Sequence, residues 1–382
     1  MTVPERSMTS DEVIALDLRP PCLTEPPPDH FRIGLIGAGR IVHSGVMPAY
    51  RSVGIQPVAA VDPDPAAREA IRRIWGITDT FADYREMLEA TELDVVDINM
   101  GWEFGASAIR VNAVEDAAAK GIHVIVAKPL AETWAQCVEM VESAERHGVT
   151  LAIDQNTRFA PTFYGCRTLI EAGALGDLLS GSISYHSGIG RQHTNAFHAV
   201  QDVCVHGVDV LLSWFEEEPK ELYAYWTRRV DGIGSVMSAT MVFSGNRMGT
   251  LHYDFATRHR RQFECVVVGD RASADGLQDQ ELPAPARMLR STLRFGPHEP
   301  RGLAIELPLQ HTMSPESYLS TRLDFLQAID RGGTPWVNGR TYLRTMRILF
   351  AIVHATGDGA AGALVRLDDF DPGQVEVERP VQ

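Results

Sequence analysis

Two rhythms of apolar and polar positions divide the chain. From Phe31 to Asp154, apolar runs without polar alternation (RIGLI, PVAAV, LDVVDIN, IHVIVA, VTLAID) take turns with stretches whose apolar residues return every three or four positions (AAREAIRRIWG, ADYREMLEA, AIRVNAVEDAAAKG, ETWAQCVEMVESAERHG). Unbroken apolar runs suit strands covered on both faces, and strands alternating with helices imply a parallel, doubly wound sheet. After about Asn156 the rhythm changes. A helix over 162–172 precedes the strand LLSGSISYH, and a helix over 202–215 precedes four strand-like runs (LYAYWTR, SVMSATMVFSG, GTLHYDF, QFECVVVG). Consecutive strands joined by turn signals such as Ser244-Gly245-Asn246 suggest a mainly antiparallel sheet. Helices over 317–329 and through TYLRTMRILFAIVHA complete the pattern. The fold class expected is an α/β amino-terminal domain over 31–157 and an α+β domain with a large, mostly antiparallel open sheet over 158–382. Residues 1–30, rich in proline and acids, read as a flexible extension.

Composition narrows the function. The 382 residues carry 35 basic and 50 acidic side chains, a formal net charge of −15. That balance disfavours nucleic acid or an anionic membrane as partner. No run approaches the roughly 18 apolar residues of a spanning helix. The amino terminus lacks the basic start and apolar core of a secretory signal. Five scattered cysteines with no C-x-x-C pair suit reduced thiols in a reducing compartment, so a cytoplasmic protein is expected.

The first chemical signal is Gly37-Ala38-Gly39-Arg40-Ile41-Val42, between the first strand and the first helix. Glycines there permit a tight turn and close approach of backbone to a pyrophosphate, and the helix start offers N–H groups. The third fingerprint position is Val42 instead of Gly or Ala. Asp62 ends the second strand, where a carboxylate can accept from adenosine ribose hydroxyls and repel a 2′-phosphate, favouring NAD over NADP. Asp62 also suits the opening of the turn Asp62-Pro63-Asp64-Pro65. Asn99 and Met100 follow the strand LDVVDIN, and the family resemblance drawn below implies that they lie beside the nicotinamide.

Two further segments look chemical. Lys128 follows the strand IHVIVA, and ligands of doubly wound sheets gather at the carboxyl ends of strands; a solvated surface lysine is the plainer reading. Asp202, His206 and Asp209 fall at i, i+4 and i+7 on one helix. A histidine flanked by carboxylates suits proton transfer near neutral pH; a helix-surface ion pair is the alternative. His186, His193, His198 and His206 crowd one stretch, but their spacing fits no standard zinc pattern, so no metal is expected.

In order, these segments resemble the Gfo/Idh/MocA oxidoreductases, the family of glucose–fructose oxidoreductase and inositol dehydrogenase. GLIGAGRI, Asp62, A-K-P-L at 127–130, QNTRFAPTF, IEAGALGDL, D-x-x-x-H-x-x-D at 202–209 and FLQAIDRGGTPWVNGRTYLRTMRI carry the resemblance. It implies a Rossmann domain, and interconversion of a secondary alcohol and a ketone on a sugar, glycoside or cyclitol. It further implies His206 as general acid/base, Lys128 at the substrate oxygen, Asp202 orienting the substrate, and Arg158, Asp209 and His198 as substrate contacts. A homodimer or homotetramer built on the open sheet also follows from it. Three departures stand out. Ala127 replaces a family glutamate. Asn99-Met100-Gly101-Trp102, in a segment about five residues longer than usual, replaces T-P-P and offers Trp102 and Phe104 for stacking on a ring. Cys204 and Ala199-Val200 replace glycines. A tightly held, internally recycled cofactor and a redox-sensing protein of weakened chemistry are the alternatives.

Overall fold

The computed structural model describes residues 8–102, 105–186, 198, 200–228, 234–255, 260–281, 289–298, 304–312, 314–357 and 362–375. Phe104, His193 and Ala199, named above, lie outside them. The chain forms two compact units: Pro21–Asn156 with Ser314–Met346, and Met1–Pro20 with Thr157–Met313 and Arg347–Gln382.

In the first unit, β1 (Ile33–Ile36), β2 (Ala59–Val61), β3 (Asp79–Phe81), β4 (Val95–Ile98), β5 (His123–Ala127) and β6 (Leu151–Asp154) make one sheet in the order β3-β2-β1-β4-β5-β6. Every pair is parallel, the arrangement of a dinucleotide-binding Rossmann fold. β1, β2, β4 and β6 are buried along their length, as their unbroken apolar runs require. The helix Pro65–Trp75 starts at Asp64, whose side chain accepts from Ala66 N, and stops at Gly76 in the left-handed region.

A charged network lies inside this unit. Arg322, on the helix Glu316–Asp330, donates to Asp97 of β4 at 2.9 and 3.3 Å and to Asp154 of β6 at 2.9 Å. The Tyr50 hydroxyl adds a bond to Asp97 at 3.0 Å, and Thr321 one to Asp154 at 2.8 Å. Arg322 and Asp97 are fully buried. Two carboxylates need a cation, and the one that serves them lies 225 residues beyond Asp97. The network is one tie between Ser314–Met346 and the first unit, with which that segment packs, whereas the sequence places it in a domain over 158–382.

The second unit holds a nine-stranded sheet in the order β14-β13-β12-β11-β7-β10-β9-β8-β15. Its strands are β7 (Leu178–His186), β8 (Glu221–Arg228), β9 (Gly234–Val242), β10 (Met248–Asp254), β11 (Arg260–Gly269), β12 (Ala272–Glu281), β13 (Leu289–Pro297), β14 (Ile305–Glu306) and β15 (Ala363–Arg366). All neighbours are antiparallel except β7 and β10. The helices Pro161–Glu171 and Val205–Phe215 cover one face. On the other, the cross-strand row Leu364, Tyr223, Thr240, Thr250, Ser182, Val266 includes three exposed apolar side chains, Leu364, Tyr223 and Val266.

Residues 8–30 are packed where the sequence reading expected a loose extension. Thr9 caps the short helix Ser10–Ile14, Val13 and Leu18 are buried, and Leu18 N donates to Gln310 at 2.8 Å in the second unit. In the first unit, Cys22 is buried and its thiol contacts Ser320 O at 3.4 Å. Among the described residues, no helix is long and apolar enough to cross a membrane.

Candidate active site

In the first unit the expected residues gather at the carboxyl ends of the strands. Gly37 follows β1 with φ at +96°, and a Cβ there would sit 2.9 and 3.0 Å from the backbone of Asn99. Only glycine fits both the left-handed backbone and that approach. Asn99 N donates to Ile36 O at 2.7 Å, which holds the β4 loop against the glycine turn. Gly39 has open space where a side chain would be, the room a pyrophosphate needs. Arg40 and Ile41 are exposed beside it, whereas Val42, at the third fingerprint position, is buried.

Asp62 closes the turn read from the sequence and also reaches the glycine loop. One oxygen accepts from Asp64 N at 2.9 Å, closing the turn, and the other accepts from Ala38 N in the glycine loop at 2.8 Å. Asn99 donates from Nδ2 to Asp97 Oδ1 at 2.8 Å. Trp102 is buried. Lys128 follows β5, is half-buried, and joins Pro129 through a cis peptide.

In the second unit Val200–Cys204 forms a π-helical turn that runs into the α-helix Val205–Phe215. Such turns are rare and cluster at functional sites. Asp202 is half-buried within the turn; His206, Asp209 and His198 are buried. The helix is therefore not a surface helix bearing an exposed ion pair. Gly207 lets it approach the sheet: a Cβ there would lie 2.5 Å from the Tyr253 hydroxyl, to which Gly207 N donates at 3.0 Å. The His206 ring meets Phe263 edge-on, with centroids 6.3 Å apart.

Arg158 and Asp209 engage each other, with Nε to Oδ2 at 2.7 Å and Nη2 to Oδ1 at 2.5 Å, both groups buried. A bidentate pair of this kind fixes both planes at once. Sequence reasoning missed Thr157. Its hydroxyl lies 2.8 Å from His206 Nδ1, in the short helix Asn156–Phe159. The motif that contains it was visible, but its partner 49 residues away was not. Of the histidines read as possible metal ligands, His186 faces Asp254 at 3.6 Å. Among the described residues no three His, Cys, Asp or Glu side chains form a group that could hold a metal ion.

A dinucleotide fits the first unit on its own geometry: a glycine turn that a Cβ would obstruct, open space at Gly39, and a carboxylate at the end of β2. The second unit offers a buried histidine with one ring nitrogen already held, a group able to exchange protons.

Comparison with known proteins gives two family matches. Residues 31–155 match the profile of an oxidoreductase family with an NAD-binding Rossmann fold, and residues 163–275 match the Gfo/Idh/MocA carboxyl-terminal domain. D-apiose dehydrogenase of Paraburkholderia graminis is 26% identical over 355 residues, covering 90% of this chain and 92% of its own. An NADP-linked D-xylose 1-dehydrogenase of Haloferax volcanii is 24% identical over 336 residues, 86% of this chain and 98% of its own. Among solved structures, aldose–aldose oxidoreductase from Caulobacter crescentus, crystallised with glycerol, superposes with a TM-score of 0.72 at 18% identity. That match covers 88% of this chain and 99% of the other, and shares the fold.

Proposed function

The chain belongs to the Gfo/Idh/MocA family of oxidoreductases with an NAD-binding Rossmann domain, and from that premise we propose that it interconverts a secondary alcohol and a ketone on a sugar, glycoside or cyclitol, using NAD in preference to NADP. The observation that carries the reading is the glycine turn with strand-end Asp62 bonded to Ala38 N, and the buried, Thr157-held His206 supports it separately. Sugar dehydrogenases among the relatives support the substrate class.

The bound nicotinamide would supply the acceptor or donor of the hydride. His206 takes the proton from the substrate hydroxyl, or returns it, through Nε2, since Nδ1 faces Thr157. Lys128 hydrogen-bonds the same oxygen and stabilises negative charge developing there. Asp202 orients the substrate. Arg158 and Asp209, locked together, hold the helix and the Asn156–Phe159 segment in place as much as they contact a ligand. Asp62 supports NAD, because a 2′-phosphate would meet its charge.

The proposed assembly is a homodimer or homotetramer, formed through the open sheet face that carries Leu364, Tyr223, Tyr225, Met248 and Val266. Exposed apolar side chains collected on one face mark an interaction surface.

The test is a turnover screen at 340 nm with NAD and NADP against sugars, glycosides and cyclitols. We expect NAD-linked turnover of at least one polyhydroxylated substrate, and Asp62→Ala should narrow the gap between the cofactors. A flat screen despite cofactor binding would favour a sensor. Cofactor retained through gel filtration, with sugar-to-sugar exchange, would favour internal recycling, the reading that the likeness to an aldose–aldose oxidoreductase keeps in view.

A further inference from the structure

The helix Ala106–Ala118 carries a buried cation, Arg110. Arg110 is 1% exposed. Its Nε donates to Met100 O at 3.2 Å, and Nη2 donates to the same oxygen. Its Nη1 donates to Ala127 O at 2.9 Å, Pro129 O at 2.6 Å and Leu130 O at 3.3 Å. One turn earlier, buried Ser107 donates from Oγ to Trp102 O at 2.5 Å and accepts from Glu132 N at 2.8 Å. Residues three apart share a helix face. One face thus binds two loops together: 99–102 after β4, and 128–132 after β5.

Among the described residues, none of the oxygens that Arg110 reaches belongs to a carboxylate. Burial accordingly pulls its pKa down from the ordinary arginine value. A buried charge compensated by carbonyl dipoles alone is costly to keep. A methionine would fill the space without that cost, but would bind neither loop. The guanidinium offers five donors in one rigid plane, which lets a single side chain hold carbonyls from two loops. Three of its four carbonyl partners bracket Lys128, one before it and two after. The residue before Lys128 is Ala127, and it is its backbone carbonyl that Arg110 grips.

We infer that Arg110, assisted by Ser107, is a positioning residue for Lys128: it fixes the backbone on both sides of the lysine and ties it to the loop that carries Trp102. The inference rests on the reading that Lys128 acts at the substrate oxygen. A displacement of about 1 Å at a reacting group costs on the order of 100-fold in rate, so a fixed backbone matters there.

The experiment is a double-mutant cycle. Arg110→Met, Arg110→Lys and Ser107→Ala are made in the wild-type chain and in Lys128→Ala, and kcat, KM and cofactor Kd are measured for each. In the wild-type background Arg110→Met should lower kcat by about 100-fold, with cofactor Kd within about twofold, and Arg110→Lys should restore part of the loss. In the Lys128→Ala background the same change should alter kcat by less than about threefold, because there is no lysine left to misplace. If Arg110→Met does not fold, Arg110→Lys carries the cycle. Equal losses in both backgrounds, or wild-type kcat in Arg110→Met, overturn the inference while leaving Lys128 its role. Wild-type turnover in Lys128→Ala alone overturns the lysine's role and this inference with it.

Discussion

Thr157 Oγ1 and His206 Nδ1 lie 2.8 Å apart, both buried. The bond joins the short helix at the start of the second unit to the helix carrying the candidate base. It settles which way the imidazole faces. In the proposed reaction a proton exchanged with a substrate would pass through Nε2, with the Thr157 hydroxyl orienting the ring for it.

Replacing Thr157 with valine keeps the shape and removes the hydroxyl. One hydrogen bond of this kind contributes about 1.4 kcal/mol, so kcat should fall about tenfold while cofactor Kd stays unchanged. Steady-state kinetics with the best substrate from the screen measures both. Unaltered kcat would leave the ring oriented by its packing on Phe263.

Arg322 is the only cation hydrogen-bonded to Asp97 and Asp154 among the contacts described above, and burial already pushes the Asp97 carboxyl up from its ordinary range. Arg322→Met should therefore destabilise the fold by about 3–5 kcal/mol, the scale for breaking a buried pair from one side. Adding Asp97→Asn to that variant should recover part of the loss. Denaturant unfolding decides it: a midpoint equal to wild type would show that the two carboxylates do not depend on the arginine.

His123, at the start of β5, accepts from Thr150 N through Nδ1 at 3.0 Å, and burial lowers its pKa below the ordinary value of 6.5. The folded state thus prefers the neutral ring. Its contribution to stability is complete above pH 6.5 and is lost as the pH falls through the folded pKa. His123→Asn keeps an acceptor that does not titrate. Tm followed from pH 7.5 down to pH 5 should drop more steeply for wild type than for the variant. Parallel curves would mean that the ring titrates alike in folded and unfolded chains.

Much of the first unit was legible because its signals are local. An apolar run, a glycine turn and a strand-end carboxylate occupy neighbouring positions, so β1, Gly37 and Asp62 could be placed by spacing alone. The strand β3 was not legible: it is three residues long and part exposed, with no apolar run to announce it. β12 and β13 were missed for a different reason. The inward positions of β12 are Ala272, Ala274, Gly276 and Gln278, small or polar side chains against which the helix Pro161–Glu171 packs closely. A Cβ at Gly276 would come within 2.1 Å of Thr162. Alternation exists there, but not between large apolar and polar residues, so the period-two signal is faint.

The site divides the same way. Lys128, Asp202 and His206 stood out as chemistry-bearing residues in recognisable segments. Thr157, Arg110 and Arg322 did not, because each acts through a partner distant in the chain. A buried arginine in a helix looks the same in sequence as a solvated one. Only its acceptors, four carbonyl oxygens for Arg110 and two carboxylates for Arg322, tell the difference.

The proposed redox chemistry on an alcohol gives Lys128 and His206 roles that kinetics can test one residue at a time. The direct measurement compares kcat of Lys128→Met and His206→Asn with wild type at 340 nm, alongside NAD affinity by fluorescence titration. Each variant should lose roughly 10²–10⁴-fold in kcat and bind NAD as wild type does. Wild-type turnover in either variant would remove that residue from the reaction.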